Sequence, residues 1–426
     1  MLPDSDKIFA DSHIVKRKAI CVVCKGSKML CGKSRCPILV KHRVFAKTLP
    51  LIDSLDLNGS SPPAVFIGRI GYPKVFVGPL LPPIHGNTTI LDLPERWLLE
   101  QKTIEDIMNY RYSLVRGMFR IHHVTDVTTS GKIVDLSRDL ALSRDPTDVE
   151  VVFHKKPKRR LILDSEVQPF GPSARLKKLD LGTLKLDQRL DKASSDTDLK
   201  AQEATLSLYQ SNIPVTKIQR AFSVGAFGLE KNRKFVPTRW AITACDDIIG
   251  KALHEEVKRF PLVNEFRVYE NWQLDNRFIV LMIPRAWKYE LIEAWYPNTV
   301  WNPNPHAKIA MLSDNEEYQG RTKYAAIGGC YYAARLAVCE HLAKERRQAA
   351  IVILREAHPG YILPVGVWNV RENVRMALRG KVWKFNTLKE ALSHIQNRLA
   401  IPLSSWIRNS AVLKSIFYQK TLDAFF

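Results

Sequence analysis

The chain has 426 residues, of which 46% are hydrophobic and 25% are charged. This length and composition exclude a small disulfide-stapled module and a disordered basic tail, and they predict two or three folded domains. Lysine and arginine number 64 against 43 aspartate and glutamate, so the formal net charge is +21. A positive charge of this size on folded surfaces favours polyanionic partners.

The cellular compartment is predicted from what the sequence lacks. No apolar run approaches the roughly 18–20 residues of a membrane span, and the first residues, MLPDSD, lack the basic and apolar regions of a secretory signal. The chain has seven cysteines, an odd number, and four of them fall between Cys21 and Cys36. Because this distribution does not fit a set of disulfides, we expect a protein of the reducing cytoplasm.

Residues 1–45 are predicted to form a small metal-binding module. The four cysteines in this segment are Cys21, Cys24, Cys31 and Cys36. Four thiolates at such short separations can surround a tetrahedral Zn²⁺, and the lysines and arginines around them lower the thiol pKa values. The spacing therefore predicts a zinc knuckle. An iron–sulfur cluster and a metal-free redox cluster are the alternatives.

Residues 46–150 are predicted to form a first α+β domain. Two β-rich runs, 64–67 and 74–77, are joined by Gly71-Tyr-Pro, which predicts an antiparallel hairpin. Arg69 and Tyr72 flank the hairpin glycines, which would let a phosphate or a sugar approach the backbone closely. They are candidate site residues. The alternative is an exposed hairpin tip with routine turn glycines.

A second candidate in this domain is His122, which is followed by His123 and Asp126. These residues could supply a general base or a metal ligand. Adjacent residues on a strand point to opposite faces, so only one of the two histidines could face a site. A structural role is the alternative.

Residues 151–200 are dense in charge and are predicted to be a connector. A second α+β domain is predicted over residues 201–400, starting after a capping box formed by Ser195 and Asp198. Its predicted elements are strands at 263–272, 277–284, 349–355 and 361–368 and a long helix at 324–347. Because neighbouring strands suggest hairpins, the predicted fold class is α+β with mixed or antiparallel sheets.

Asp246 and Asp247 precede an apolar helical pattern and are interpreted as acids at a helix N-terminus, where the helix dipole favours them. The alternative is a catalytic carboxylate pair that binds Mg²⁺.

A further basic segment carries Arg371, Arg375 and Arg379 at intervals of four residues. On a helix these residues form one stripe, a geometry suited to contacting successive phosphates of a nucleic acid. A solvated helix face is the alternative.

Residues 401–426 are predicted to be a C-terminal tail that ends in a partner-binding peptide. The last octet contains Gln419, Leu422, Phe425 and Phe426 and matches the peptide that docks onto the sliding clamp, PCNA. One 3₁₀ turn places the leucine and the aromatic residues on one side and leaves the glutamine at the rim. The alternative is a terminal segment that packs its aromatic side chains onto its own domain.

Three interior stretches resemble the signature segments of NreA, an archaeal family of DNA repair proteins. They are SPPAVFIGRIGYPKVFVGP at 61–79, SDTDLKA at 195–201 and FVPTRWAITACDD at 235–247. With the cysteine cluster and the terminal peptide, the resemblance covers nearly the whole chain. It implies a repair role coupled to the sliding clamp.

These observations predict a DNA repair protein that binds DNA, docks onto PCNA and is associated with the nucleoid. The main alternative is a clamp-recruited enzyme, either a nuclease or an NAD- or nucleotide-using transferase such as an ADP-ribosyltransferase, with a pocket around Arg69 and the carboxylates at 246–247. An RNA-binding protein is a third possibility, since zinc knuckles and basic stripes serve RNA equally well.

Overall fold

The computed structural model describes residues 24, 30, 35–127, 131–157, 170–299 and 301–418. Within these residues the chain forms two six-stranded sheets of mixed direction, each packed against helices. The predicted α+β class is confirmed in this form. The predicted zinc module lies largely outside the described residues.

The first sheet has the strand order β1-β5-β6-β4-β3-β2, and its neighbours are antiparallel except for the parallel pair β4 and β6. Its strands are β1 (Asp56–Ser61), β2 (Val65–Ile67), β3 (Phe76–Leu81), β4 (Val115–Arg120), β5 (Thr147–Phe153) and β6 (Ser173–Leu181). The helices of this half are α1 (Pro37–Ile52), α2 (Pro94–Trp97), α3 (Ile104–Ser113), α4 (Lys132–Leu142), α5 (Gln188–Ser195), α6 (Ala201–Gln210), α7 (Val215–Ser223) and α8 (Thr238–Val257).

One face of the first sheet carries the core of this half. Residues along β5 alternate between buried and more exposed positions, because successive side chains of a strand point to opposite faces. Inner-face side chains such as Val77, Val115 and Leu176 form one apolar cluster with residues of α4, α6, α7 and α8. The opposite face, here called the outer face, carries Phe66, Phe76, Arg116, Arg120 and Arg175.

The second sheet has the order β10-β9-β11-β8-β7-β12, with β9 and β11 parallel. Its strands are β7 (Phe266–Gln273), β8 (Asn276–Ile283), β9 (Lys288–Trp295), β10 (Ala310–Glu316), β11 (Ala350–Ala357) and β12 (Val382–Phe385). Its helices are α9 (Gly329–Glu345), α10 (Trp368–Arg379), α11 (Leu388–Gln396), α12 (Leu403–Asn409) and α13 (Ala411–Tyr418).

Helices cover both faces of the second sheet. The helices α9 and α10 pack on one face, and α11, α12 and α13 pack on the other. Every residue of β11 is therefore buried, which explains why its first five residues, 350–354, form a continuous apolar run rather than an alternation. The two halves meet along α8, which packs against both α7 and α9.

Two of the predicted hairpins are present. The strands β2 and β3 pair antiparallel across the Gly71 turn, and β7 and β8 pair with Gln273 opposite Asn276. Leu274 and Asp275, the two residues between that pair, have positive φ angles of 51° and 56°. Positive φ at both central residues is characteristic of the type I′ turn of two-residue hairpins, and aspartate tolerates this conformation.

Several boundaries differ from the sequence prediction. The charged segment 151–200 supplies β6, an interior strand of the first sheet, and α5. Ser195 ends a helix rather than capping the next one, which starts at Ala201. Residues 361–367 form an irregular segment that leads into α10 at Trp368, and they do not form a strand. The local charge and the local hydrophobic pattern gave wrong predictions for these segments, because contacts with distant parts of the chain decide each of these elements.

The ends of the chain also differ from the predicted domains. The helix α1 crosses the predicted boundary at residue 45 and packs on α3 through Val40, Val44 and Met108. The predicted tail begins with two folded helices, in which Trp406 and Leu413 are fully buried against the second sheet. None of the helices that the structure describes combines the length and the apolar character needed to cross a membrane.

Candidate nucleic-acid interface

The β2–β3 hairpin presents the first pair of predicted site residues. Tyr72 is exposed at the hairpin turn, and Arg69 is half-buried beside it. The tip is braced against α8, because the backbone N–H of Ile67 donates to Thr238 Oγ1 at 2.9 Å. The ring of Tyr72 lies 5.1 Å from that of Trp240, which is also exposed. The hairpin turn and the first turn of α8 therefore form one aromatic surface.

The outer face of the first sheet holds an arginine between two phenyl rings. The guanidinium carbon of Arg116 lies 4.3 Å from the centre of the Phe66 ring and 4.1 Å from that of Phe170. Burial lowers the pKa of Arg116 to about 10, so the side chain is still charged at neutral pH. Its Nε has no hydrogen-bond partner, and no carboxylate among the described residues pairs with it. Cation–π contacts hold this charge in place.

The same face continues with exposed cations around a third phenyl ring. The guanidinium carbons of Arg120 and Arg175 lie 5.9 Å and 5.6 Å from the ring centre of Phe76. Lys177 is exposed two residues further along β6. Within the described part of the chain, none of these three cations forms an ion pair with a carboxylate. Basic side chains interleaved with aromatic rings can contact a phosphate backbone and also stack against bases.

Sequence reasoning missed this outer face. The signal was present in β4, where Arg116, Met118 and Arg120 alternate with inner-face residues at the two-residue period of a strand. It was hidden because each strand contributes only one or two cations. The sheet order, which brings β3, β4 and β6 side by side, assembles them.

The two predicted carboxylates lie in the middle of α8 and not at its N-terminus, which is at Thr238. Asp246 is fully buried and accepts hydrogen bonds from Arg371 Nη1 at 2.8 Å and from Gln219 Nε2 at 2.9 Å. Burial raises the pKa of Asp246 to about 6, against the opposing effect of Arg371. The interpretation as helix N-terminal acids is therefore wrong.

Asp247, which is partly exposed, forms an ion pair with a buried arginine. It contacts Arg335 of α9, which also donates to Glu316 Oε2 at 2.9 Å. Burial alone would lower the pKa of Arg335, but the charges of Glu316 and Asp247 raise it. Each carboxylate at 246–247 is thus matched by an arginine from another helix. No group of three or more metal-ligating side chains occurs among the described residues.

The predicted phosphate stripe on α10 does not match the structure. Arg371 is 1% exposed, and its guanidinium is enclosed by Asp246 and Glu372. Arg375 is largely buried and pairs with Glu340 at 2.6 Å and with Glu372 at 2.8 Å. Only Arg379 of the three is exposed. Arg371 and Arg375 join α10 to the neighbouring helices, because they lie on the face of α10 that packs inward.

The remaining predicted site residues fall in turns or outside the described residues. His122 is exposed in a turn after β4, where Asp126 accepts a hydrogen bond from the backbone N–H of His123 at 2.7 Å. Cys24 and Cys36 are buried, and Cys36 immediately precedes α1. Two of the four cysteines, Cys21 and Cys31, lie outside the described residues. All four residues of the clamp peptide also lie outside them, namely Gln419, Leu422, Phe425 and Phe426.

Comparison with known families covers most of the chain. The family model described as "Archaeal Nre, N-terminal" matches residues 30–302, and the one described as "Archaeal Nre, C-terminal" matches residues 316–425. The chain belongs to the archaeal Nre family. The first match contains β7, β8 and β9, the second contains β11 and β12, and β10 lies almost wholly between them, so both matched regions contribute strands to the second sheet of this Nre protein.

Curated relatives are similar over most of their length. The chain is 40% identical to the DNA repair protein NreB of Archaeoglobus fulgidus over 92% of this chain and 97% of that protein. It is 36% identical to the DNA repair protein NreA of the same organism, over 89% and 93% of the two chains. It is 34% identical to the DNA repair protein NreA of Haloferax volcanii, over 84% and 86%. No solved structure matches the chain. The predicted relation to archaeal Nre repair proteins is confirmed.

Proposed function

We propose that this Nre chain is a DNA repair protein that binds DNA through the outer face of its first sheet and is recruited by the sliding clamp. The observation that carries the first part is the set of cations on the outer face. Arg116, Arg120 and Arg175 contact phenyl rings and have no carboxylate partner among the described residues. Elsewhere in the fold buried arginines such as Arg371 are matched by acids, so this face stands out as a site for an external anion.

Charge and chain position support the same proposal. The net charge of +21 attracts a polyanion at long range. The loop between β5 and β6 starts beside Arg175, whose backbone oxygen accepts a hydrogen bond from the N–H of His154 at 2.9 Å, and the sequence of this loop carries the basic run Lys155-Lys-Pro-Lys-Arg-Arg160. Phosphate contacts position a protein on DNA without reading its sequence, as a repair factor that acts at many sites requires. The direct test is binding of labelled duplex DNA by the full chain over a series of salt concentrations. Absence of salt-dependent binding would reject the proposal.

Zinc binding by the four cysteines is a second part of the proposal. Purified full-length protein is expected to contain about one zinc per chain, held by Cys21, Cys24, Cys31 and Cys36, because a closed structural site uses four ligands. Cys36 immediately precedes α1, so the metal would anchor the start of that helix. Cys31→Ser should lose the metal and loosen the N-terminal segment while the two sheets stay folded.

The matched control is Cys330→Ser, which removes a cysteine at the start of α9 and should leave the metal content unchanged. Elemental analysis of protein prepared without chelators checks both variants. Protein that holds neither zinc nor iron would contradict the metal site, and iron in place of zinc would indicate a cluster.

Clamp docking by the terminal octet is the third part. The helix α13 ends at Tyr418, with Val412 and Leu413 buried, so the octet follows directly on a folded helix. A leucine and two phenylalanines that enter an apolar pocket each contribute roughly 1.5–3 kcal/mol, and ordering the peptide offsets part of this. We expect micromolar affinity for the clamp, which a chain ending at Tyr418 should lose.

Calorimetry with purified clamp tests this prediction. Phe425→Ala should behave like the truncated chain. Phe417→Ala is the matched control, because Phe417 is also a phenylalanine, is 48% exposed and lies just before the octet. If the full-length and truncated chains release equal heat, the octet is not the docking site.

A further inference from the structure

An aliphatic side chain is exposed to solvent at the tip of the β2–β3 hairpin. Ile70 is 87% exposed, more than any other large apolar side chain in the part of the chain that the structure describes. It lies between the half-buried Arg69 and Gly71, whose φ of +82° turns the chain sharply. Lys74, also exposed, follows the turn. A single isoleucine so fully exposed adds nothing to the core of its own fold.

The hairpin that carries Ile70 is braced on several sides. The backbone N–H of Gly68 donates to Phe76 O at 2.7 Å, and that of Lys74 donates to Gly71 O at 2.8 Å. The bond from the Ile67 N–H to Thr238 Oγ1 and the contact between the Tyr72 and Trp240 rings fasten the hairpin to α8. The isoleucine is thus presented on a supported turn, with an aromatic surface beside it.

We propose that Ile70 is a wedge that enters the base stack of duplex DNA, and that Tyr72 and Trp240 receive the unstacked base. Apolar side chains inserted between base pairs separate neighbouring bases and kink the duplex. Exposed aromatic rings then provide a surface on which a displaced base stacks. This inference rests on the proposed function, since it requires that DNA lies along the outer face.

The positive charge around the hairpin favours DNA as the occupant. Arg69 and Lys74 flank the wedge, and Arg239 is exposed next to Trp240. The strand β3, which leaves the hairpin, carries Phe76 between Arg120 and Arg175 on the outer face. A phosphate backbone that follows this face meets the hairpin at its end. Cations in these places favour a polyanion over an apolar protein partner, and also over a second copy of this chain, which itself carries a net charge of +21.

The experiment uses the full-length protein and a duplex that contains one 2-aminopurine opposite a mismatched base. Binding is followed by anisotropy of a distant dye, and opening of the stack is followed by 2-aminopurine fluorescence, which rises when that base loses its neighbours. The wild-type protein should raise both signals. Ile70→Ala should keep an affinity within about tenfold of wild type and lose the fluorescence rise, because unstacking is largely offset by the contacts that it permits.

Leu99→Ala is the matched control, because Leu99 is an exposed aliphatic residue, 51% accessible, that follows α2 and is not part of the hairpin. It should retain both signals, whereas Trp240→Ala should bind but show a smaller rise. DNA binding without any rise in fluorescence, or a rise that Ile70→Ala leaves intact, overturns the wedge and leaves the proposed function standing. Failure of the anisotropy signal itself overturns both.

Discussion

Arg371→Leu is expected to destabilise the protein by about 3–5 kcal/mol, the usual cost of removing one partner of a buried ion pair. The substitution leaves Asp246 buried on α8 without its arginine, and it removes one of the two arginines that contact Glu372. Since α8 and α10 belong to different parts of the chain, the loss of this ion pair should reduce the stability of both halves of the fold. Chemical denaturation of the variant and of the wild type measures the difference.

The destabilisation caused by Arg371→Leu should be smaller at low pH than at high pH. Burial already raises the pKa of Asp246 to about 6, and Arg371 opposes that rise. Without the arginine the pKa should rise further, so the carboxyl can become neutral in mildly acidic solution. When a carboxyl group has a higher pKa in the folded state than in the unfolded state, its contribution to the stability of the fold decreases as the pH increases. We therefore expect a smaller destabilisation at pH 5 than at pH 8.

Arg379→Leu is the control, because Arg379 is exposed on the same helix. It should change the stability by no more than about 0.5 kcal/mol. If Arg371→Leu unfolds at the same denaturant concentration as this control at both pH values, the buried pair is not a stabilising contact. Loss of DNA affinity by well-folded Arg371→Leu would instead revive the phosphate stripe.

Replacing Arg120, Arg175 and Lys177 together by serine should weaken DNA binding and flatten its salt dependence. If the wild-type protein neutralises about five to eight phosphates, log K should fall against log salt with a slope of roughly −4.5 to −7. Removing three phosphate contacts should reduce the steepness by about 2.7. The effect should be equal for all sequences, because these side chains contact phosphates rather than bases.

A matched triple variant separates this effect from loss of net charge. Arg379, Lys389 and Lys414 are exposed on α10, α11 and α13 of the second half, so changing them to serine removes the same charge elsewhere. This control should keep nearly the wild-type slope. Equal slopes for the outer-face variant and the wild type would contradict the outer face as the DNA surface. Equal losses for the two triple variants would point to net charge alone.

The elements that sequence reasoning placed correctly are those with short-range determinants. The hairpin turn at Leu274 and Asp275 depends on two residues, and the long helix α9 depends on spacing within one segment. The wrong elements depend on partners far along the chain. The charged stretch before residue 200 becomes β6 because β4 and β5 flank it on both sides. The apolar segment 361–368 finds no strand to pair with and leads into a helix instead.

The same distinction between local and long-range determinants applies to the residues of the candidate site. The hairpin residues Arg69 and Tyr72 were found because glycines and a proline mark the turn. The outer-face arginines were not found, since they belong to separate strands that only the sheet order brings together. Arg371 was misread because its partner, Asp246, lies 125 residues away.

By itself the sequence determined the positive charge, the cluster of four cysteines, the terminal octet, the hairpin turns and the relation to the Nre family. Each of these depends on composition or on residues close together in the chain. Only the tertiary structure decided which positive charges face solvent. An arginine on a helix has the same local pattern whether it meets water or a buried carboxylate, and the cost of burying its charge is offset only when folding brings that carboxylate to it. Burial therefore separates Arg371, which holds helices together, from Arg120 and Arg175, which are exposed on the outer face.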